Sequence, residues 1–73
     1  MTMLFYNLPE NQRRVLHFII RNIEDKGESP THAEIAAAFD MSEQHVHNVL
    51  NALEKKGRIK RDKHQHRSIT VIE

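Results

Sequence analysis

Seventy-three residues, a net charge of +1, no cysteine and 38% hydrophobic content set the frame for one small domain. That composition excludes a disulfide scaffold and a thiolate metal site, and its apolar content is too high for a disordered chain. The longest apolar run near the N-terminus, Met3-Leu4-Phe5, is far too short for a signal sequence or a membrane span, which fits a cytoplasmic protein.

Residues 1–7 form an apolar leader without helical period. Leu8-Pro9 reads as a helix entry, because proline is tolerated in a first turn. From Glu10 to Lys26 the apolar residues Val15, Leu16, Ile19, Ile20 and Ile23 fall on one helical face. Gly27 follows as a C-terminal cap. The stretch 27–31, "GESPT", is an extended connector, since the residue before Pro30 is pushed toward β geometry. Thr31 then caps a second helix, with Glu34 spaced to complete a capping box. Ile35, Ala36 and Phe39 are its inward side, and the three alanines 36–38 keep it slim.

Asp40 stands where the chain must leave helical geometry, and aspartate tolerates left-handed backbone better than most residues. Ser42 caps a third helix that runs to about Lys56 and is ended by Gly57. Two helices joined by so short a corner are a helix-turn-helix. After Gly57 the apolar period becomes two: Ile59 in "RIKR", then Ile69 and Val71 in "SITVI", with the polar "DKHQH" between them. Residues 58–73 therefore read as a hairpin.

The charge is unevenly distributed. Residues 1–57 hold six Lys/Arg against eight Asp/Glu, a balance of −2, whereas residues 58–73 hold five against two, a balance of +3. On the third helix, Val46, Val49, Leu50 and Leu53 set the buried direction. Gln44, Asn48, Asn51 and Lys55 point away, with His45 and His47 on the flanks. An ordinary solvent face would carry charged i, i+4 pairs. Flat amides and imidazoles instead suit base edges, and a helix of this width fits the DNA major groove. A helix-turn-helix followed at once by a basic hairpin is the layout of a winged helix. The class implied is mainly α: a three-helix winged helix-turn-helix with a C-terminal β-hairpin wing, filling residues 1–73 as one domain. In that layout Arg58, Lys60, Arg61, Lys63 and Arg67 would contact phosphates, which position a protein without reading sequence. Thr31, Asn51, Lys55, His64 and His66 border the same face and join the backbone candidates.

Three stretches carry a family resemblance: "L-x-x-x-Q" from Leu8 to Gln12, "G-x-x-P-T-x-A-E-I-A" from Gly27 to Ala36, and "L-x-A-L-x-x-K-G-x-I" from Leu50 to Ile59. They resemble the N-terminal DNA-binding domain of LexA-type repressors, over roughly residues 8–72. The resemblance implies that residues early in the third helix read bases, here Ser42, Gln44, His45, His47 and Asn48. It implies a small transcription regulator on double-stranded DNA in a bacterial or phage-infected cell. The family's second domain, with its self-cleavage centre and main dimer contacts, has no counterpart in these residues. The expectation is therefore a chain that does not cleave itself and that forms a homodimer by other means or uses a separate protein partner. The competing expectation is a winged helix that grips a protein rather than DNA, as an inhibitor or assembly module.

No catalytic grouping stands out: there is no glycine-rich phosphate loop and no nucleophile–base pair, so an enzyme is not expected. No cofactor or metal is expected either. His64 and His66 can share a strand face, but His45 and His47 lie about 200° apart on a helix, and zinc takes three or four protein ligands. His17 and His32 read as structural or solvent-exposed.

Overall fold

The computed structural model describes residues 5–62 and 68–72. Its elements are α1 (Glu10–Lys26), α2 (His32–Phe39), α3 (Glu43–Lys55), β1 (Ile59–Lys60) and β2 (Thr70–Val71). The two strands pair antiparallel, Ile59 opposite Val71 and Lys60 opposite Thr70. This is a three-helix winged helix-turn-helix closed by a small hairpin.

Each boundary has a local chemical cause. Gly27, at φ 74°, ends α1 and donates its N–H to the Ile23 carbonyl at 2.8 Å. The capping box of α2 is complete: Thr31 Oγ1 accepts from the Glu34 N–H at 3.1 Å, and the Thr31 N–H donates back to Glu34 Oε1 at 3.0 Å. Asp40 ends α2 in the left-handed region at φ 54°, leaving Met41 and Ser42 to reach α3. At the far end of α3 the Arg58 N–H bonds the Leu53 carbonyl and the Gly57 N–H the Glu54 carbonyl, with Gly57 at φ 76°. That pair of bonds is a Schellman turn, and it aims the chain into the wing.

α3 lies between α1 and α2 and also packs on β1. Its buried face is Val46, Val49, Leu50 and Leu53, set against Val15, Leu16 and Ile19 of α1 and Ile35 and Ala36 of α2. Ile59 and Ile69 close the core from the wing side, which joins the hairpin root to the helices. Ile20 and Ile23 stay half-buried, because with Ile69 and Val71 they line a shallow groove between α1 and β2. Phe5 of the leader packs against the core and meets His17 edge-on, ring centroids 6.1 Å apart. Phe18 and Phe39 meet edge-on at 5.4 Å, and the Arg14 guanidinium lies over the Phe39 ring.

The strands are shorter than the alternation in "RIKR" and "SITVI" implies. The bond from the Ile72 N–H to the Arg58 carbonyl sets the alternation of the ladder, so the Ile69 N–H faces away from β1, and it donates to Ser29 Oγ at 3.2 Å. Ser29 is a buried polar residue in the α1–α2 connector, so this bond ties the wing root to a segment 40 residues away in sequence. Replacing Ser29 by Ala is expected to strand that N–H and to cost about 1–2 kcal/mol of stability. Urea unfolding of the two chains measures it; an unchanged midpoint would mean that the hydroxyl does no such tying.

Candidate nucleic-acid interface

The exposed side of α3 begins with its cap. Ser42 Oγ accepts from the His45 N–H at 3.0 Å, which leaves the hydroxyl proton to donate outward. The first N–H groups of α3 precede any intrahelical partner and, with the helix dipole, favour an anion. Gln44, His45, His47 and Asn48 are all exposed. Gln44 Nε2 donates to Asn48 Oδ1 at 3.1 Å, so these two amides form one flat unit along the helix. Asn51 and Lys55, further along α3, are exposed as well.

α2 brings a second group to this surface. The His32 and His47 rings lie 6.2 Å apart, and Thr31 caps α2 beside them. His32 is half-buried. Burial, then the Arg61 guanidinium and then His47 hold its pKa below the ordinary 6.5, with Glu43 opposing. The unfolded chain therefore takes up this proton more readily than the folded one. The stability that His32 contributes is full above about pH 6.5 and is lost as pH falls through that value toward the lower folded pKa. Lowering the pH from about 7.5 to about 5 should thus reduce the urea midpoint of the natural chain more than that of His32→Gln. Parallel profiles for the two proteins would refute this.

Two wing arginines are not free cations. Arg58 donates to the carbonyls of Lys56 at 3.1 Å and Tyr6 at 3.2 Å, tying the leader to the end of α3. The sequence places it among the phosphate contacts, but its guanidinium is held by backbone carbonyls. Arg61 donates through Nε and a terminal nitrogen to Glu54 Oε1, at 3.2 and 2.9 Å, and through that terminal nitrogen to Asn51 Oδ1. Its side chain is only 10% exposed. Lys60 is exposed. Lys63, His64, His66 and Arg67 lie outside the described residues. At the loop's base Ser68 Oγ donates to the Asp62 carbonyl at 2.8 Å.

Ser42, Gln44, His45, His47, Asn48, Asn51 and Lys55 are thus exposed along α3 and its cap, with His45 and His47 on opposite flanks, and the half-buried Thr31 caps α2. Sequence reasoning missed Glu54 and the pairing of His32 with His47. Glu54 had a readable signal: it lies three residues after Asn51 on the same helical face, so an arginine reaching one also reaches the other. Among the described residues no group of three or more His, Asp or Glu is placed to hold a metal, and no helix is long and apolar enough to cross a membrane.

The family described as the LexA DNA binding domain matches residues 6–68. The LexA repressor of Thermosipho melanesiensis is 40% identical over 65 residues, which are 89% of this chain and 33% of that protein. The LexA repressor of Myxococcus xanthus is 41% identical over 65 residues, 88% of this chain and 29% of that one. The LexA repressor of Anaeromyxobacter sp. is 48% identical over 56 residues, covering 75% and 24%. The chain spans about a third of the length of the first curated relatives it matches.

Proposed function

Because this chain belongs to the LexA DNA-binding domain family, we propose that it binds double-stranded DNA sequence-specifically and regulates transcription in a bacterial or phage-infected cell. The observation that carries this reading is the exposed face of α3. A capped helix start stands beside a run of amides and imidazoles where a solvent helix would have charge pairs. Helix α3 enters the major groove, with Gln44, His45, His47 and Asn48 at base edges. Ser42 and the free N–H groups at the helix start meet a phosphate or the first base. Thr31, Lys55 and the wing lie along the backbone.

One winged helix buries only roughly 600–1,000 Å² on DNA, so a single copy binds weakly. A second copy on an adjacent half-site, or a separate protein partner, supplies the remainder. The relatives are named repressors, and blocking a promoter needs no more than such occupancy. Nothing in the structure or the relatives favours the alternative of a winged helix devoted to gripping a protein.

The direct test is selection of bound duplexes from a random pool at stated salt. A short recovered consensus, in one or two half-sites, is the expected result. Recovery of unselected sequence alone would exclude sequence-specific reading.

A further inference from the structure

Asn51 and Arg61 meet at the junction of α3 and the wing. Arginine has five N–H donors and no acceptor, so the Asn51 atom facing it must be Oδ1. A free asparagine presents both a donor and an acceptor, and can pair bidentately with adenine. Here the acceptor is turned toward the protein and occupied. Glu54 fixes the other side of the guanidinium through its Nε and the same terminal nitrogen. Arg61 is therefore held from two sides, neutralised, and 10% exposed. Asn51 Nδ2 is left with two hydrogens and no partner among the described residues, on an exposed residue of α3.

We infer that Arg61 is a positioning residue: it orients the Asn51 amide so that Asn51 offers DNA only hydrogen-bond donors. The inference rests on the DNA-binding reading and deepens it, because it fixes the chemistry of the matching DNA group. That group is an acceptor, either a phosphate oxygen or a base acceptor such as guanine N7 or O6 or thymine O4. The amino groups of adenine and cytosine are excluded at this position, since two donors face each other there. Arg61 acts through Asn51 and leaves phosphate contact to other residues.

The test is a double-mutant cycle in the whole chain, on a duplex that the natural chain selects from a random pool. Asn51→Ala should weaken binding roughly 5- to 150-fold, the range for one good polar contact to DNA. Asn51→Asp keeps the oxygen that Arg61 holds but loses both outward hydrogens; it should melt no lower than the natural chain and bind at least as poorly as Asn51→Ala. Arg61→Ala should weaken binding in the natural background but change it less than about twofold when Asn51 is already Ala. An equal loss in both backgrounds would show that Arg61 touches DNA itself, and would overturn the proposal. So would full affinity in Asn51→Ala and Asn51→Asp. Repeating the selection with Asn51→Ala separates the two acceptors. Relaxed preference at one position identifies a base, whereas a uniform loss with a shallower salt dependence identifies a phosphate.

Wing loosening in Arg61→Ala is controlled without DNA, by the side-chain amide resonances of Asn51. They should move in Arg61→Ala and be largely restored in Arg61→Lys, which can still donate to Oδ1. Resonances indifferent to Arg61 would overturn the pairing. A natural chain that selects no sequence would instead overturn the function on which the proposal stands.

Discussion

Replacing Leu50 by Ala is expected to remove about 2–5 kcal/mol of stability. Leu50 is fully buried at the centre of α3, where the packing from α1 and α2 meets. A domain of 73 residues is stable by only about 4–11 kcal/mol at usual values per residue. The change therefore takes from about a fifth of the total to all of it. The loss has two parts, the transfer of the missing methyl groups and a cavity that three rigid helices cannot close. Urea unfolding should show a much lower midpoint with an unchanged slope. Tyr6→Ala is the contrast. The residue is 65% exposed and its carbonyl, not its ring, holds Arg58, so the change should stay within about 0.5 kcal/mol. If Leu50→Ala unfolded at the natural midpoint, the packing of α3 described here would be wrong.

The second large effect concerns DNA. Gln44→Ala and Asn48→Ala should each cost about 1–3 kcal/mol of affinity on the selected site and relax preference at one or two positions. Alanine is the better helix former at both, so the fold should not weaken. The two amides share a hydrogen bond, so their effects should not add; losing either frees the other to turn. Lys55→Ala should behave differently, weakening all sequences alike and lowering the salt slope by about one. An Asn48→Ala chain that kept both affinity and preference would remove α3 from the groove.

Much of this architecture is legible in the sequence because its signals are local. Thr31 with Glu34, Ser42, Gly27 and Asp40 each act on backbone within a few residues, and each stands where its residue type implies. The apolar stripe of α3 is equally direct, since its four residues are the four that are buried. What the sequence could not show is partner choice over distance. Arg58 and Arg61 sit three apart in the same basic segment and look alike. One is taken by a carbonyl 52 residues away, the other by an amide and a carboxylate on α3. Ser29, in a polar connector, reads as a surface residue until the wing folds back over it. Charge counting overestimates the free cations of a wing for the same reason: a guanidinium near a carboxylate or a bare carbonyl is already occupied.

The bond between Ser29 and Ile69 also sets an order of events. Its ends are 40 residues apart, so closing it early would cost more chain entropy than any helix cap. The caps form within nanoseconds to microseconds from neighbouring residues, while the wing root can dock only on helices already assembled. The Ile69 amide proton is therefore a clock for the last step of folding. If its exchange with deuterium is as slow as that of the core amides of α3, the wing root opens only when the whole domain does; if faster, the root detaches from a helical bundle that stays intact. In the second case the hold of β2 on the helices, and with it the placement of the wing that is proposed to lie on the DNA backbone, would depend on the strength of one serine hydroxyl.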